Sequence, residues 1–451
     1  MGSSTTHNNV IWILGDQHRA QMLSCNGDPN VNTPNIDRLS HQGINCQNAV
    51  SGFPLCCPYR GAMLTSRYPH NCVPGHEYRL PQDMPTISHA LKDQGFDTAY
   101  FGKWHLDGFH EHEGRAAFHV VPLARRGGFD TWIGYENNNA QWDCWVHGTK
   151  ADKPYRLNGY ETDCLTDLLI DYIHKQSENH AKGNAKPFFA VLSVQPPHDP
   201  YVAPEQYMRR HGPFTVLLRS NVPSVPWVQE RARRDVAGAC AMVENLDWNV
   251  GRVIRSIEES CFADDTYIVF FSDHGDMHGS HGQFHKTAPW EESIRVPFIV
   301  SATGSLGTRY RSQQSRPKAL VNHVDIAPTT LGLCGVDRPD WMEGHDYSDL
   351  VRNDRTCVNM PDSAYLQYVI PTMEEWYDSV DRPWRGLVTI DGWKYVCLEN
   401  QPWLMFNLNE DPYEQVNLAH NTKFKAERKR LHDRLAQWTA DTGDSFSLPH
   451  I

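Results

Sequence analysis

The sequence predicts an α/β fold: a large mixed, mostly parallel sheet sandwiched by helices, followed by a smaller C-terminal antiparallel sheet plus helix. Three observations carry this expectation. Short unbroken apolar runs alternate with helix-patterned stretches, one long amphipathic helix stands among them, and after about residue 360 the texture changes to closely spaced short strands. Two units are expected, a large α/β domain over 1–360 and a small α+β subdomain over 361–451. A chain of 451 residues exceeds what one core usually organises.

Val10–Leu14 is a continuous apolar run ended by Gly15, the pattern of a strand covered on both faces. Thr33, Pro34 and Gly43 then supply the cap, first residue and stop of a helix. "PTISHALKDQG" gives another helix, and Thr98–Phe101, Phe188–Val194, Thr266–Ser272 and Val296–Val300 give further strands. The helix expected at Glu230–Glu259 draws one apolar stripe through Val236, Cys240, Val243, Leu246, Val250, Val253 and Ile257. Near the end, "RGLVTIDGWKYVCL" reads as a hairpin whose Asp391-Gly392 pair suits a two-residue turn. A terminal helix presents Leu431, Leu435 and Trp438 on one side.

Apolar content of 40% and charged content of 21% place the chain among ordinary globular proteins. A net charge of −12 with scattered Lys and Arg argues against nucleic-acid or membrane partners. The first apolar run is too short for a signal segment or a membrane span. Twelve irregularly spaced cysteines without an export signal predict reduced thiols, so a cytoplasmic location is expected.

The chemistry gathers just after the strands. Val10–Leu14 leads into Gly15-Asp16-Gln17, Thr98–Phe101 into Gly102-Lys103-Trp104-His105, Phe188–Val194 into Gln195-Pro196-Pro197-His198, and Thr266–Ser272 into Asp273-His274-Gly275-Asp276. Open α/β sheets bind ligands beyond the carboxyl ends of their strands. Parallel neighbours would deliver all four ends to one rim. Asp16, Gln17, Asp273 and His274 suit a divalent cation: the oxygens favour Ca²⁺ or Mg²⁺, and the imidazole also admits Mn²⁺ or Zn²⁺. A single Asp in such a place is as readily a cap or turn residue; four positions in register favour the metal. Lys103, His105, His198 and Lys286 have the chemistry to surround a tetrahedral oxyanion, although each alone is equally an ordinary loop residue. His110, His112, His278, His281 and His285 are expected to be structural or solvent-facing, because no helical His pair or anchoring carboxylate accompanies them.

Cys56-Cys57-Pro58-Tyr59-Arg60 opens a helix-patterned stretch, with Pro58 in the first turn. There, free amides and the helix dipole favour an anion. From the residues alone, Cys56 is a buried thiol or a nucleophile. With Leu64-Thr65-Ser66-Arg67 following, the segment resembles the Cys-x-Pro-x-Arg and Thr-(Gly/Ser)-Arg pattern of type I, formylglycine-dependent sulfatases of the alkaline-phosphatase superfamily. The resemblance runs through "VIWILGDQH", "TPNIDRL", "TAYFGKWHL" and "VFFSDHGDMHGSHG" to the closing strands.

This resemblance implies an alkaline-phosphatase-like fold and oxidation of Cys56 to Cα-formylglycine by a separate maturation enzyme, with Cys57 as the variable position. It implies one divalent cation, Ca²⁺ with Mg²⁺ and Mn²⁺ as alternatives, on Asp16, Gln17, Asp273 and His274. Arg60 would steady the formylglycine and the metal carboxylates, and Lys103 and His105 would hold nucleophile and sulfate. His198, as general acid, and Lys286 would neutralise the leaving atom. Two features depart from the commoner pattern, Asp16-Gln17 in place of Asp-Asp and His274 in place of Asn. Both resemble the choline-sulfatase and phosphonate-monoester-hydrolase branch. Tyr59 replaces the usual small residue.

The function expected is hydrolysis of a sulfate monoester or of the S–N bond of a sulfamate. The alternatives are phosphonate-monoester or phosphodiester hydrolysis by the same nucleophile, or anion binding without catalysis on an unmodified Cys56. For substrate contacts, "GYENNNAQWDCWVHG" offers Asn138, Trp142 and Trp145, amide and flat apolar groups suited to a sugar or ring, or to plain packing on the rim. A homo-oligomer is compatible with these features.

Overall fold

The computed structural model describes residues 7–308, 317–352, 360–372 and 379–451. A first sheet is built from β1 (Asn9–Gly15), β2 (Ile44–Asn45), β3 (Asp97–Lys103), β4 (Thr131–Tyr135), β5 (Trp145–Gly148), β6 (Ala151–Arg156), β7 (Phe188–Ser193), β8 (Thr266–Ser272) and β9 (Phe298–Ala302). Its order is β2-β9-β8-β1-β7-β3-β4-β5-β6. The centre, β8-β1-β7-β3-β4, is parallel throughout, and both flanks are antiparallel. The four chemistry-bearing strand ends are therefore adjacent and open on one rim.

The central strands are covered on both faces, which explains their lack of polar alternation. Val10, Trp12 and Leu14 face one core together with Ala62, Met63 and Leu64, while Ile11 and Ile13 face the other with Val236, Val243 and Leu246. Helices α1 (Pro34–Gln42) and α4 (Glu161–Ala181) pack with a long helix at Pro226–Glu258 on one face of the sheet, and α2 (Cys56–Thr65) and α3 (Ile87–Asp93) pack together on the other. That long helix begins four residues before its expected start, with Pro226 in its first turn. All seven residues of its apolar stripe are buried. Helix α4 carries a weaker stripe and was not anticipated from the sequence.

A second sheet comprises β10 (Ser363–Tyr368), β11 (Trp384–Thr389), β12 (Trp393–Leu398) and β13 (Gln401–Asn407), antiparallel in chain order. Period-two alternation divides its side chains. Tyr365, Leu387, Tyr395 and Met405 join Leu431 and Leu435 of the terminal helix Lys425–Thr442 in the larger core, and Leu366, Val388, Val396 and Phe406 line the other face. The hairpin connection corrects the two-residue expectation. Ile390, Asp391 and Gly392 form a three-residue link, with Gly392 at φ 88° and its N–H donating to Thr389 O at 3.0 Å. A turn closed by a left-handed residue needs that third position. No helix among the described residues is long and apolar enough to cross a membrane.

Candidate active site

The site is assembled where β1, β3, β7 and β8 end beneath the first turn of α2. Cys56 is the first residue of α2 and is 1% exposed. Its Sγ lies 3.1 Å from His274 Nε2, 3.4 Å from Lys286 Nζ and 3.6 Å from Asp16 Oδ1. Leu55, the capping residue, offers no side-chain cap to the first amides of α2, leaving them available to an anion.

Arg60 lies one turn further along α2 and is fully buried. Its guanidinium donates to Asp16 Oδ2 at 3.1 Å, Ser193 Oγ at 2.8 Å and Lys103 O at 3.0 Å, and stands 3.2 Å from Asp273 Oδ2. Lys103 Nζ forms an ion pair with Asp16 Oδ2 at 2.7 Å. The lysine's position depends on Gly102 at φ 110°, where an added Cβ would come within 2.0 Å of Ser193 O. A side chain there would push β3 away from β7.

Asp16, Cys56, Asp273 and His274 bring one ligand atom each within 4.8 Å of one another, all buried. His274 Nδ1 is 3.0 Å from Gly275 O, an acceptor only, so Nδ1 carries a proton, and Nε2 is the ring nitrogen that faces Cys56 and the two aspartates. Asp273 Oδ1 accepts from the N–H groups of Gln17 and His274, while Asp273 Oδ2 receives no hydrogen bond among the described residues and stands 3.2 Å from the Arg60 guanidinium. An orphaned buried carboxylate oxygen beside a prepared imidazole nitrogen fits a divalent cation.

The electrostatics agree with this crowding. Burial opposes ionisation of Asp16, as does Cys56, but the Lys103 and Arg60 charges hold its carboxyl well below the usual range. Burial and the Asp16 charge push Asp273 up. Burial also works against a Cys56 thiolate, yet Lys103, Lys286 and His274 outweigh it and draw the thiol well below its ordinary value. Cys57 goes the other way: burial and the neighbouring Cys56 keep its thiol protonated. Burial and Lys103 hold His105 neutral, with its pKa down to about 4.

On the outer side, Lys286 Nζ donates to Gln17 Oε1 at 3.0 Å and lies 2.8 Å from His198 Nε2. His198 Nδ1 is 2.8 Å from Asp199 O, so Nδ1 donates there and Nε2 accepts from the lysine. Gln17 (φ 64°) and His105 (φ 58°) both stand in the left-handed region. Non-glycine residues held there cluster where function requires an exact aim.

The pocket thus contains Asp16, Gln17, Cys56, Arg60, Lys103, His105, His198, Asp273, His274 and Lys286. Asn138, Trp142 and Trp145 belong to the adjoining loop. Asn138 spends its amide on Arg115 and Ala140 O; Trp142 is 48% exposed with its ring on Tyr160; Trp145 bonds Asp143 Oδ1 and packs on Phe118. The loop is tied to the site by Gln141 Nε2 donating to His198 O and Gln195 Nε2 donating to Asn139 Oδ1. Of the other histidines, His110 pairs with Glu77, His112 stands beside it, and His278 packs on Tyr201. His281 stacks on Trp290, whereas His285 reaches the rim, 3.6 Å from Asp199.

Sequence reasoning missed Ser193, Asp199, Tyr201 and Asp276. Asp276 stands in the same post-strand segment as Asp273, which was the available signal. Ser193 and Tyr201 gave none.

Comparison with known proteins gives the chain its relatives. The Sulfatase profile matches residues 8–336, and that of the C-terminal part of N-sulphoglucosamine sulphohydrolase matches residues 279–441. The ulvan-active sulfatase of Formosa agariphila is 31% identical, aligned over 98% of this chain and 83% of its own. The choline-sulfatase of Rhizobium meliloti is 25% identical over 97% and 88%. A Bacteroides fragilis structure assigned as the sulfatase yidJ superposes with TM-score 0.84 at 26% identity, covering 99% and 98% of the two chains. The phosphonate monoester hydrolase of Agrobacterium radiobacter shares the fold at TM-score 0.76 and 20% identity, over 96% of each chain. With the profile spanning most of its length, a relative above 30% identity and a pocket built around Cys56, the chain belongs to the sulfatase family of hydrolases.

Proposed function

We propose that the protein hydrolyses sulfate monoesters, or the S–N bond of sulfamates, through a formylglycine at position 56 with a divalent cation on Asp16, Gln17, Asp273 and His274. The observation that carries this reading is the placement of Cys56 Sγ at a helix N-terminus between the carboxylate and imidazole cluster and Lys286.

When bound, the cation would supply Lewis-acid activation of the nucleophile and neutralise charge on a sulfate oxygen. A hydrated formylglycine would supply one hydroxyl to attack sulfur and a second whose deprotonation releases sulfate without external water. The chain's own residues do the rest. Arg60 fixes the two aspartates, leaving Lys103 to serve both Asp16 and the incoming anion. His105, kept neutral, can hydrogen-bond without adding charge. Lys286 Nζ and His198 Nε2 share a proton on the outer side, where a leaving oxygen or nitrogen must take one.

Matured protein tests this with an aryl sulfate, an N-sulfonated amine and an aryl phosphonate. Preference for either sulfur substrate supports the proposal, and preference for the phosphonate replaces it with the alternative. If Cys56 is a thiol in every molecule from the native source by peptide mass, the catalytic reading fails. The rim reading of Asn138, Trp142 and Trp145 is tested by their alanine variants across sulfated sugars; unchanged substrate ranking rejects it.

A further inference from the structure

We propose that Asp276 is a positioning residue that fixes which end of the Gln17 amide faces the cation site. The inference rests on the reading that Gln17 helps hold a cation, and adds a residue in no contact with that ion.

Donors and acceptors decide how Gln17 is turned. An amide side chain can sit in either of two orientations, and only its partners decide which. Gln17 Nε2 donates to Asp276 Oδ2 at 2.6 Å and, at the longer distance of 3.4 Å, to Asp199 Oδ1 and Tyr201 OH; Gln17 Oε1 accepts from Lys286 Nζ at 3.0 Å. A carboxylate has no proton to give and an ammonium has no lone pair to offer. The Asp276 carboxylate and the Lys286 ammonium therefore each permit one orientation, and both permit the same one: nitrogen toward Asp276, oxygen toward Lys286. Asp276 is itself held firmly. Its Oδ1 accepts the N–H groups of His278 and His285, both at 3.0 Å, and its Oδ2 accepts Tyr201 OH at 2.5 Å besides Gln17. It is fully buried, so no water competes.

This bookkeeping makes Asp276→Asn unusually informative. The two backbone N–H groups require an oxygen, so the asparagine must keep Oδ1 on them and turn its NH₂ toward Gln17. Gln17 then rotates to accept that bond, and presents its own NH₂ to Lys286 and to the cation. A carbonyl ligand becomes a donor facing a positive charge. In a Gln17→Glu background the same change acts in the opposite direction. There, two carboxylates would confront each other, and Asp276→Asn supplies the donor that relieves them.

The test is calorimetric titration of chelator-stripped matured protein with CaCl₂ and with MnCl₂, alongside thermal melts without metal. Partners behind a ligand typically govern about 10–100-fold in metal affinity. We expect Asp276→Asn to weaken cation binding by about tenfold or more with the metal-free melting temperature unchanged. In the Gln17→Glu background Asp276→Asn should tighten binding. Loss of affinity in both backgrounds, or in neither, overturns the inference. If Asp276→Asn alone does not fold, the comparison of Gln17→Glu with Gln17→Glu/Asp276→Asn still carries the sign. Failure of the wild type to bind either ion overturns the cation reading itself, whereas binding that ignores Asp276 overturns only this proposal.

Discussion

Arg60→Met removes a side chain that serves four buried oxygens at once. Its bonds to Asp16, Ser193 and Lys103 O, and its 3.2 Å approach to Asp273, all disappear. Asp273 and Asp16 overcome the effect of burial and raise the guanidinium pKa further, so the charge lost is a full one. Removing one partner of a buried ion pair costs about 3–5 kcal/mol. Lys103 still reaches Asp16 at 2.7 Å, which points to the lower end, about 3 kcal/mol. Unfolding entropy of about 2.1 cal/mol/K per residue amounts to roughly 0.9 kcal/mol/K for a chain of 451 residues. The expected fall in melting temperature is therefore about 3–4 °C by scanning calorimetry in chelator. Saturating cation supplies positive charge to the same two aspartates, so the difference between variant and wild type should shrink in its presence. An unchanged melting temperature in chelator would refute the reasoning about Arg60. An equal fall with and without cation would refute the assignment of the two aspartates to one ion.

The two adjacent cysteines should separate cleanly: Cys56→Ala lowers kcat by about 10⁴-fold or more, while Cys57→Ser, at a thiol kept protonated by burial, leaves turnover nearly intact. An equally deep loss in both variants means the wrong cysteine has been assigned. For His198→Gln, kcat/KM should fall about 10²–10⁴-fold for an alkyl sulfate. It should fall far less for an aryl sulfate whose leaving oxygen needs no proton, and a loss independent of leaving group rejects the donor role. The protein should also lose stability in acid. Burial lowers His323 to about 3, and burial dominates in lowering His18 and His147 to about 4, from 6.5. These groups are neutral when folded, and the unfolded chain takes up their protons first. Their stabilisation is thus complete above about pH 6.5 and is lost as pH falls toward 4. Urea melts at pH 7 and pH 4.5 measure it, and His323→Gln should flatten the difference; an unaltered slope rejects that contribution.

Much of the fold was legible because its central strands are buried on both faces. Val10–Leu14 and Thr266–Ser272 must be apolar throughout, so they stand out from amphipathic neighbours such as Pro226–Glu258. The same arrangement made the strand ends legible: a polar residue directly after such a run is where chemistry can first appear, and Asp16, Lys103, His198 and Asp273 all lie there. Helix α4 escaped because its apolar positions are interrupted by polar residues that pair with other elements, as Asp163 does with Asn245 and Asn249. The hairpin length escaped because Asp-Gly fits a two-residue turn and the last residues of a longer one equally well. Ser193 and Tyr201 escaped for a different reason. Each acts through a partner about 75 or more residues away in sequence, so no local pattern encodes it.

Gln17 shows how such a distant partner alters what a motif means. An acidic residue at this position would bind a cation more strongly, but it would also lie within hydrogen-bonding reach of Lys286 and confront Asp276. Its charge would hold Lys286 in a full ion pair, leaving less of the ammonium for a substrate oxygen. Neutral Gln17 accepts only one hydrogen bond from Lys286 and leaves that charge directed at Cys56 and His198. With two carboxylates rather than three in the set, more of a bound ion's charge also remains for nucleophile and sulfate. On the proposed cation reading, the amide would shift the balance of the pocket from gripping metal toward gripping anion, and only while Asp276 keeps its oxygen turned inward.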